Sequence, residues 1–237
     1  MQALIIGHRG AAGTRPENTV CSIERAQALG ASWIEVDVQP TRDHQLVITH
    51  DHEVQRCSDG DGRVDQLSLA ELKSLDFGKW FSTDYAKQTI LTLDELLSLA
   101  TSLELNVNLE IKVDDQHDIK SVVKLVSTAL SNTDFSHDRL LISSFDMKVL
   151  EGIRKQFPSL RLGVLSEHAD SRCYDFVKRL NAYSCNLDAK YLQEADIHAL
   201  QLQGVKVMVY TVNDPELYPW MKLVDGIFTD FPERFIV

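Results

Sequence analysis

Eight short apolar runs recur along this chain, each separated from the next by a helical or turn-rich stretch. They are Ala3–Gly7, Trp33–Val38, Asn106–Ile111, Leu140–Ser143, Leu162–Leu165, Ser184–Leu187, Val205–Tyr210 and Gly226–Thr229. Alternating strand and helix patterns imply a parallel sheet, because parallel neighbours need a long crossover and a helix supplies it. Eight such units suit closure into a barrel, which takes ~250 residues. The chain has 237 residues. The expected fold class is α/β, a (β/α)8 TIM barrel.

Helix boundaries fit that alternation. Asn18 or Thr19 can cap a helix with Val20, Ile23 and Ala26 on one face, stopped by Gly30. Thr92 with Glu95 reads as a capping box, and Asp146 as the cap of a helix ending near Phe157-Pro158. Asp214-Pro215 reads as a cap followed by proline at the first helical position. One run breaks the rhythm. Gln45–Thr49 follows the second strand after only Pro40–His44, too few residues for a parallel crossover, so an antiparallel extension is expected. Residues from about 51 to 88 then read as a small insertion after the second strand, placed over the barrel mouth. Asp59–Gly62 is turn-rich, and Ser68 with Glu71 offers a short capped helix. Residues 1–237 are read as a single barrel domain carrying that one insertion.

Composition narrows the function. The net charge of −11 disfavours nucleic acid, whose binding depends on basic patches, yet it permits a small anionic ligand at a local basic site. No run of 18 or more apolar residues occurs, so no membrane span is expected. Only Ala3, Leu4, Ile5 and Ile6 precede His8, with no basic residue before them, which does not suit a secretory leader. The cysteines Cys21, Cys57, Cys173 and Cys185 form no C-x-x-C pair. A cytoplasmic location with reduced thiols is the expectation.

The chemistry gathers at strand ends. In Trp33–Val38, Glu35 and Asp37 share one face while Ile34, Val36 and Val38 share the other. In a half-exposed strand these would be two surface acids. A barrel strand has no solvated side along its middle, and there two adjacent carboxylates need a cation. Asn106–Lys112 repeats the pattern, with Asn108, Glu110 and Lys112 on one face. Glu110 would complete a three-carboxylate site, or else simply pair with Lys112. Oxygen-only ligands select a hard ion, Mg²⁺ or Ca²⁺. His8 and His50 end apolar runs beside these acids. Either alone could be a structural hydrogen-bonder; together they suit proton transfer near neutral pH. Arg9 offers a planar fork for phosphate oxygens and Lys112 a point charge. Gly10 to Gly13 would let backbone approach a ligand. Phe145 and Tyr210 close later strands, where an aromatic can wall a pocket or serve packing alone. Metal-assisted phosphoester chemistry is the reading that uses both signs of charge.

In order along the whole chain stand His8-Arg9-Gly10, Pro16-Glu17-Asn18-Thr19, Glu35–Val38, His50-Asp51, Leu109–Lys112, Ser144-Phe145, Thr211–Asn213 and Asp225–Pro232. This ordered set resembles the glycerophosphodiester phosphodiesterase family. The resemblance implies a (β/α)8 barrel with an insertion after the second strand. It implies a divalent metal on Glu35, Asp37 and Glu110, His8 and His50 as acid/base pair, and Arg9 with Lys112 on the phosphate. It further implies a soluble glycerophosphodiester substrate, hydrolysed to glycerol 3-phosphate and an alcohol. Departures are modest: Tyr210 stands where Trp is common, Leu91 where Pro often occurs, and Cys57 at a usual Thr position. They bear on pocket shape. The alternatives are a lysophospholipid-directed phosphodiesterase of the same superfamily and a non-catalytic ligand-binding barrel. The first would favour a basic amphipathic stretch, and none is seen. The second would be expected to have lost one of the seven key residues, all of which are present.

Overall fold

The computed structural model describes residues 3–236. Its strands are β1 (Leu4–His8), β2 (Trp33–Pro40), β3 (Leu46–Ile48), β4 (Leu91–Thr92), β5 (Asn106–Ile111), β6 (Leu140–Ser144), β7 (Arg161–Ser166), β8 (Ser184–Asp188), β9 (Lys206–Tyr210) and β10 (Gly226–Thr229). β1 pairs in parallel with both β2 and β10, and this double pairing closes the sheet. Parallel neighbours run from β2 to β5 and onward in order to β10, giving an eight-stranded barrel. β3 lies antiparallel on β2, and β4 antiparallel on β3. The (β/α)8 barrel and the antiparallel extension expected from the sequence are both adopted.

The crossovers carry α1 (Val20–Ala28), α3 (Leu93–Ser102), α4 (Ile119–Asn132), α5 (Met147–Gln156), α6 (Ser171–Leu180) and α7 (Glu194–Gln201), with a short α2 (Leu69–Lys73) between β3 and β4. Local chemistry starts several of them. Thr92 with Glu95 and Ser68 with Glu71 form capping boxes, and the Asp146 carboxylate accepts the amides of Lys148 and Val149. At α1 the cap position goes to Thr19, but its hydroxyl donates to the Pro16 carbonyl instead of capping. Among the described residues no α-helix follows Asp214-Pro215. A 3-10 turn at Pro219–Lys222 links β9 to β10 instead. Pro219 has no N–H to give the carbonyl four residues back, so a helix begun at Pro215 cannot propagate.

The sheet has two apolar sides. Outward-facing Ile34, Val36 and Val38 pack with Val107, Leu109 and Ile111 under the helices. Ile6, Leu141, Met208 and Phe228 form a separate cluster inside the barrel. Fully burying a branched aliphatic side chain stabilises by ~1.5–3 kcal/mol. Ile34, Val36 and Val38 thereby offset the cost of the carboxylates on the inner face of the same strand. A third cluster, Val47, Val54, Val64, Leu72, Phe77 and Ile90, lies beneath the segment between β3 and β4. No helix among the described residues is long and apolar enough to cross a membrane.

Candidate active site

Strand register sets the site. β1 against β2 places His8 beside Glu35. β2 against β5 places Glu35 beside Asn108 and Asp37 beside Glu110. Strand alternation turns all of these inward at the carboxyl ends of the strands, where barrels of this type carry their chemistry. A cavity of 170 Å³ opens there. Its walls include His8, Arg9, Glu35, His50, Glu110, Lys112, Phe145 and Tyr210. Asp37 lies beneath, wholly buried. A larger cleft of 690 Å³ opens at the opposite ends of the strands, around Leu4, Lys206 and Asp225. It has no comparable carboxylate set and lies at the end of the barrel associated with stability.

Glu35, Asp37 and Glu110 bring carboxylate oxygens within 4.8 Å of one another. Burial, then Asp37 and Glu110, pushes Glu35 well above the usual carboxylate range. Burial and Asp37 push Glu110 up to about 7. Burial also pulls Asp37 upward, but Arg9, His50 and Lys112 outweigh it and hold that carboxyl low. Glu35 Oε1 is buried without a hydrogen-bond partner. A buried acceptor left unpaired beside two other carboxylates fits a bound cation, and the all-oxygen donor set fits a hard one.

The basic groups are tied to these acids. The Arg9 backbone N–H donates to Glu35 Oε2 at 3.2 Å, and its Nη1 to Glu17 Oε1 at 2.7 Å. Its Nε lies 3.4 Å from Asp37 Oδ2. Arg56 donates to both oxygens of Glu17, so Glu17 is clamped between two guanidiniums. Lys112 Nζ donates to Glu110 Oε1 at 2.8 Å and sits 5.8 Å from the Phe145 ring centre. Burial lowers the Lys112 ammonium, but Glu110 and Asp37 outweigh it and hold the group charged.

Both histidines carry an orienting carboxylate. His8 Nδ1 lies 2.6 Å from Asp230 Oδ1, and its Nε2 3.8 Å from Glu35 Oε2. His50 Nδ1 lies 2.6 Å from Asp51 Oδ1, and Lys112 Nζ donates toward its Nε2 at 3.3 Å. Burial, with Arg9 and Lys112 against the pull of Asp37, moves His50 below its ordinary value. Tyr210 stands edge-on to Phe145 with ring centres 6.1 Å apart, and its hydroxyl donates to the Ser166 carbonyl.

Several contributors escape a strand-by-strand reading. Asp230 follows β10 and meets His8 only because the barrel closes. Its other oxygen accepts Asn213 Nδ2 at 2.7 Å. Asn18 leaves the helix-capping role and donates to Asp37 Oδ2 at 3.1 Å. The signals for both were in the sequence, in Pro16–Thr19 and Asp225–Pro232. The glycines after Arg9 do not line the cavity. Gly10, at φ +86°, lies against α1, where a Cβ would stand 2.4 Å from Ser22 Oγ. A Cβ on Gly13 would strike the Phe231 ring.

The model of the glycerophosphoryl diester phosphodiesterase family matches residues 8–234. The chain belongs to that family. As a member it is a hydrolase, a glycerophosphodiester phosphodiesterase. A glycerophosphodiester phosphodiesterase of Caldanaerobacter subterraneus is 35% identical over 238 aligned positions, covering 100% of this chain and 97% of the relative. An Oleispira antarctica phosphodiesterase, solved with the product sn-glycerol-3-phosphate, superposes with a TM-score of 0.91 at 28% identity, covering 99% of this chain and 95% of the other. The glycerophosphodiester phosphodiesterase of Agrobacterium tumefaciens gives a TM-score of 0.82 at 27% identity, covering 100% of this chain and 99% of the other.

Proposed function

We propose that this family member hydrolyses small soluble glycerophosphodiesters to glycerol 3-phosphate and an alcohol, with a divalent cation and a histidine acid/base pair. One observation carries the reading: three carboxylates gathered at the base of a 170 Å³ cavity that also holds Arg9, Lys112, His8 and His50. Glu35, Asp37 and Glu110 would hold Mg²⁺ or Ca²⁺, which when bound supplies positive charge for a phosphate oxygen and makes a nearby hydroxyl more acidic. Arg9 and Lys112 bind the remaining phosphate oxygens.

His50 takes the base role. Its lowered proton affinity keeps Nε2 unprotonated, accepting from Lys112 Nζ at 3.3 Å, and able to take the proton of the attacking hydroxyl, that of water or of the glycerol unit; a glycerol hydroxyl gives a cyclic phosphate that water then opens. Asp51 holds the ring in place through Nδ1. His8 lines the same cavity and delivers a proton to the departing alkoxide as its bond to phosphorus breaks. Asp230 orients it in the same manner. Phe145 and Tyr210 wall the side where the alcohol leaves, and the small cavity suits a deacylated diester. The product bound to the Oleispira relative supports the same substrate class.

The test is glycerol 3-phosphate release from glycerophosphoethanolamine by chelator-stripped protein, with Mg²⁺ or Ca²⁺ restored. Release should require one of the ions. His8→Ala and His50→Ala should each lower turnover by at least ~10²-fold. Release without any divalent ion, or full turnover in both variants, overturns the mechanism. Turnover of lysophospholipid alone would transfer the substrate assignment to that class.

A further inference from the structure

Two of the four cysteines meet where α6 packs on the outside of the barrel. On β8, Asn186 stands level with Met208 of the inner cluster, and the Ser184 hydroxyl donates to its side chain. Strand alternation therefore turns Cys185 outward, toward the helices. Cys173 stands in the first turn of α6, three residues after the Asp170 cap. The two sulfurs are 3.1 Å apart, and both residues are buried. Cys21, on α1, touches the Thr19 hydroxyl. Among the described residues neither Cys21 nor Cys57 has a sulfur neighbour at such a distance.

Local chemistry makes the two thiols unequal. The hydrogen bond from Cys185 draws Cys173 below the ordinary thiol range, against burial and the Asp170 carboxylate. The same bond, with burial, pushes Cys185 well above that range. The amino-terminal turn of a ten-residue helix also favours negative charge at Cys173. Cys173 is thus the nucleophile, and Cys185 keeps its proton. Access is one-sided too. Cys173 lines a 270 Å³ cavity between the loops after β6 and β7, with Phe145, Glu167, His168 and Asp170 among its walls. That space far exceeds the ~30 Å³ that a water-sized molecule takes up. Cys185 does not line it. Elsewhere, burial and Glu17 push the Cys57 thiol up to about 12, which leaves it inert.

We propose that Cys173 and Cys185 are a peroxide-responsive pair that closes to a disulfide joining α6 to β8. The Cys173 thiolate, its proton released to solvent, attacks one peroxide oxygen. The O–O bond breaks, leaving Cys173 sulfenic acid and a hydroxide that takes up a proton as water. The Cys185 sulfur then attacks the Cys173 sulfur. The S–O bond breaks, and the hydroxyl leaves with the Cys185 proton as a second water. Two thiols and one peroxide become one disulfide and two waters, and the peroxide takes both electrons. A disulfide holds its sulfurs about 2.05 Å apart, so an approach of about 1 Å completes the bond. Neither sulfur lines the catalytic cavity, yet Phe145 and Leu165 wall both cavities, so the bridge forms next to the side where the alcohol leaves.

Dilute, reduced wild-type protein should be treated with a few equivalents of hydrogen peroxide and its thiols counted after unfolding. The four thiols should fall to two, and dithiothreitol should restore all four. Peptide mapping should place the bridge between Cys173 and Cys185. With dimedone present during oxidation, Cys185→Ala should be labelled at Cys173, whereas Cys173→Ala should carry no label at Cys185. Far-UV circular dichroism of both variants should match wild type, which reports folding. Should either variant fail to fold, the wild-type thiol count and map decide alone. Retention of all four thiols, or a bridge that involves Cys21 or Cys57 instead, overturns the proposal.

Discussion

Raising the pH of metal-free protein from 6 to 8 should weaken its fold through Glu110. That carboxyl, ordinarily ionising near 4.5, is pushed up to about 7 by burial and by Asp37. A group whose folded-state value lies above its unfolded value stabilises the fold below the unfolded value, and that contribution disappears as pH rises through the folded value. Glu110 is mostly protonated at pH 6 and mostly ionised at pH 8, whereas in the unfolded chain it is ionised throughout. The loss across this window is about 1.4 kcal/mol, one tenfold change in the protonation equilibrium. For a chain of this length that is a fall of about 3–6 °C in Tm. His50 and His52 work in the opposite direction, since burial holds both below their ordinary value and their destabilising effect fades as pH rises. The comparison with Glu110→Gln removes their contribution. It also relieves Glu35, which Glu110 raises, so the difference keeps its sign. Calorimetry of chelator-treated wild type and Glu110→Gln at pH 6, 7 and 8 measures the effect. Wild type should lose more stability than the variant as pH rises, and saturating Mg²⁺ or Ca²⁺ should reverse that difference by holding the carboxylate ionised. A Glu110→Gln protein with the same pH slope as wild type would refute the reasoning.

Other expectations follow from single contacts. Asp230→Asn removes the charge that orients His8 through Nδ1, and turnover should fall on the order of 10²-fold or more while KM changes little; steady-state kinetics near wild type would remove Asp230 from the mechanism. Gly78→Ala puts a Cβ 1.7 Å from the Tyr85 carbonyl oxygen, which must move, at a cost of roughly 1–3 kcal/mol visible as a lower Tm. Thr92→Ala abolishes the hydroxyl that accepts the Glu95 amide at 3.2 Å, and urea unfolding should show a loss of about 1 kcal/mol.

What was legible in the sequence follows from what local chemistry can encode. Strand alternation is local, so Glu35 with Asp37 and Asn108 with Glu110 could be assigned to shared faces before any fold was drawn. Capping is local too, hence Thr92, Ser68 and Asp146 behave as their side chains dictate. Contacts made by closure are not local. Asp230 reaches His8 only after the last strand has met the first, and Arg56 reaches Glu17 only after the segment following β3 has folded back toward the loop after β1. Asn18 shows a third case. It has a cap-forming side chain in a cap-forming place, but buried Asp37 supplies a stronger partner. The missing helix after Asp214 was decided by a proline four residues beyond Pro215, a competing signal within the same short segment.

The residues between β3 and β4 rest on an apolar cluster of their own, distinct from the two clusters that hold the barrel together. Arg56, from that segment, grips Glu17, and Glu17 in turn holds Arg9. Closure of the barrel and the rim of its mouth therefore answer to different sets of side chains. Variation in Val54, Leu72 or Phe77 can retune how firmly the rim grips Arg9 in the wall of the pocket while the strand ladder stays as it is. Substrate range in such a chain can drift across generations without renegotiating the fold.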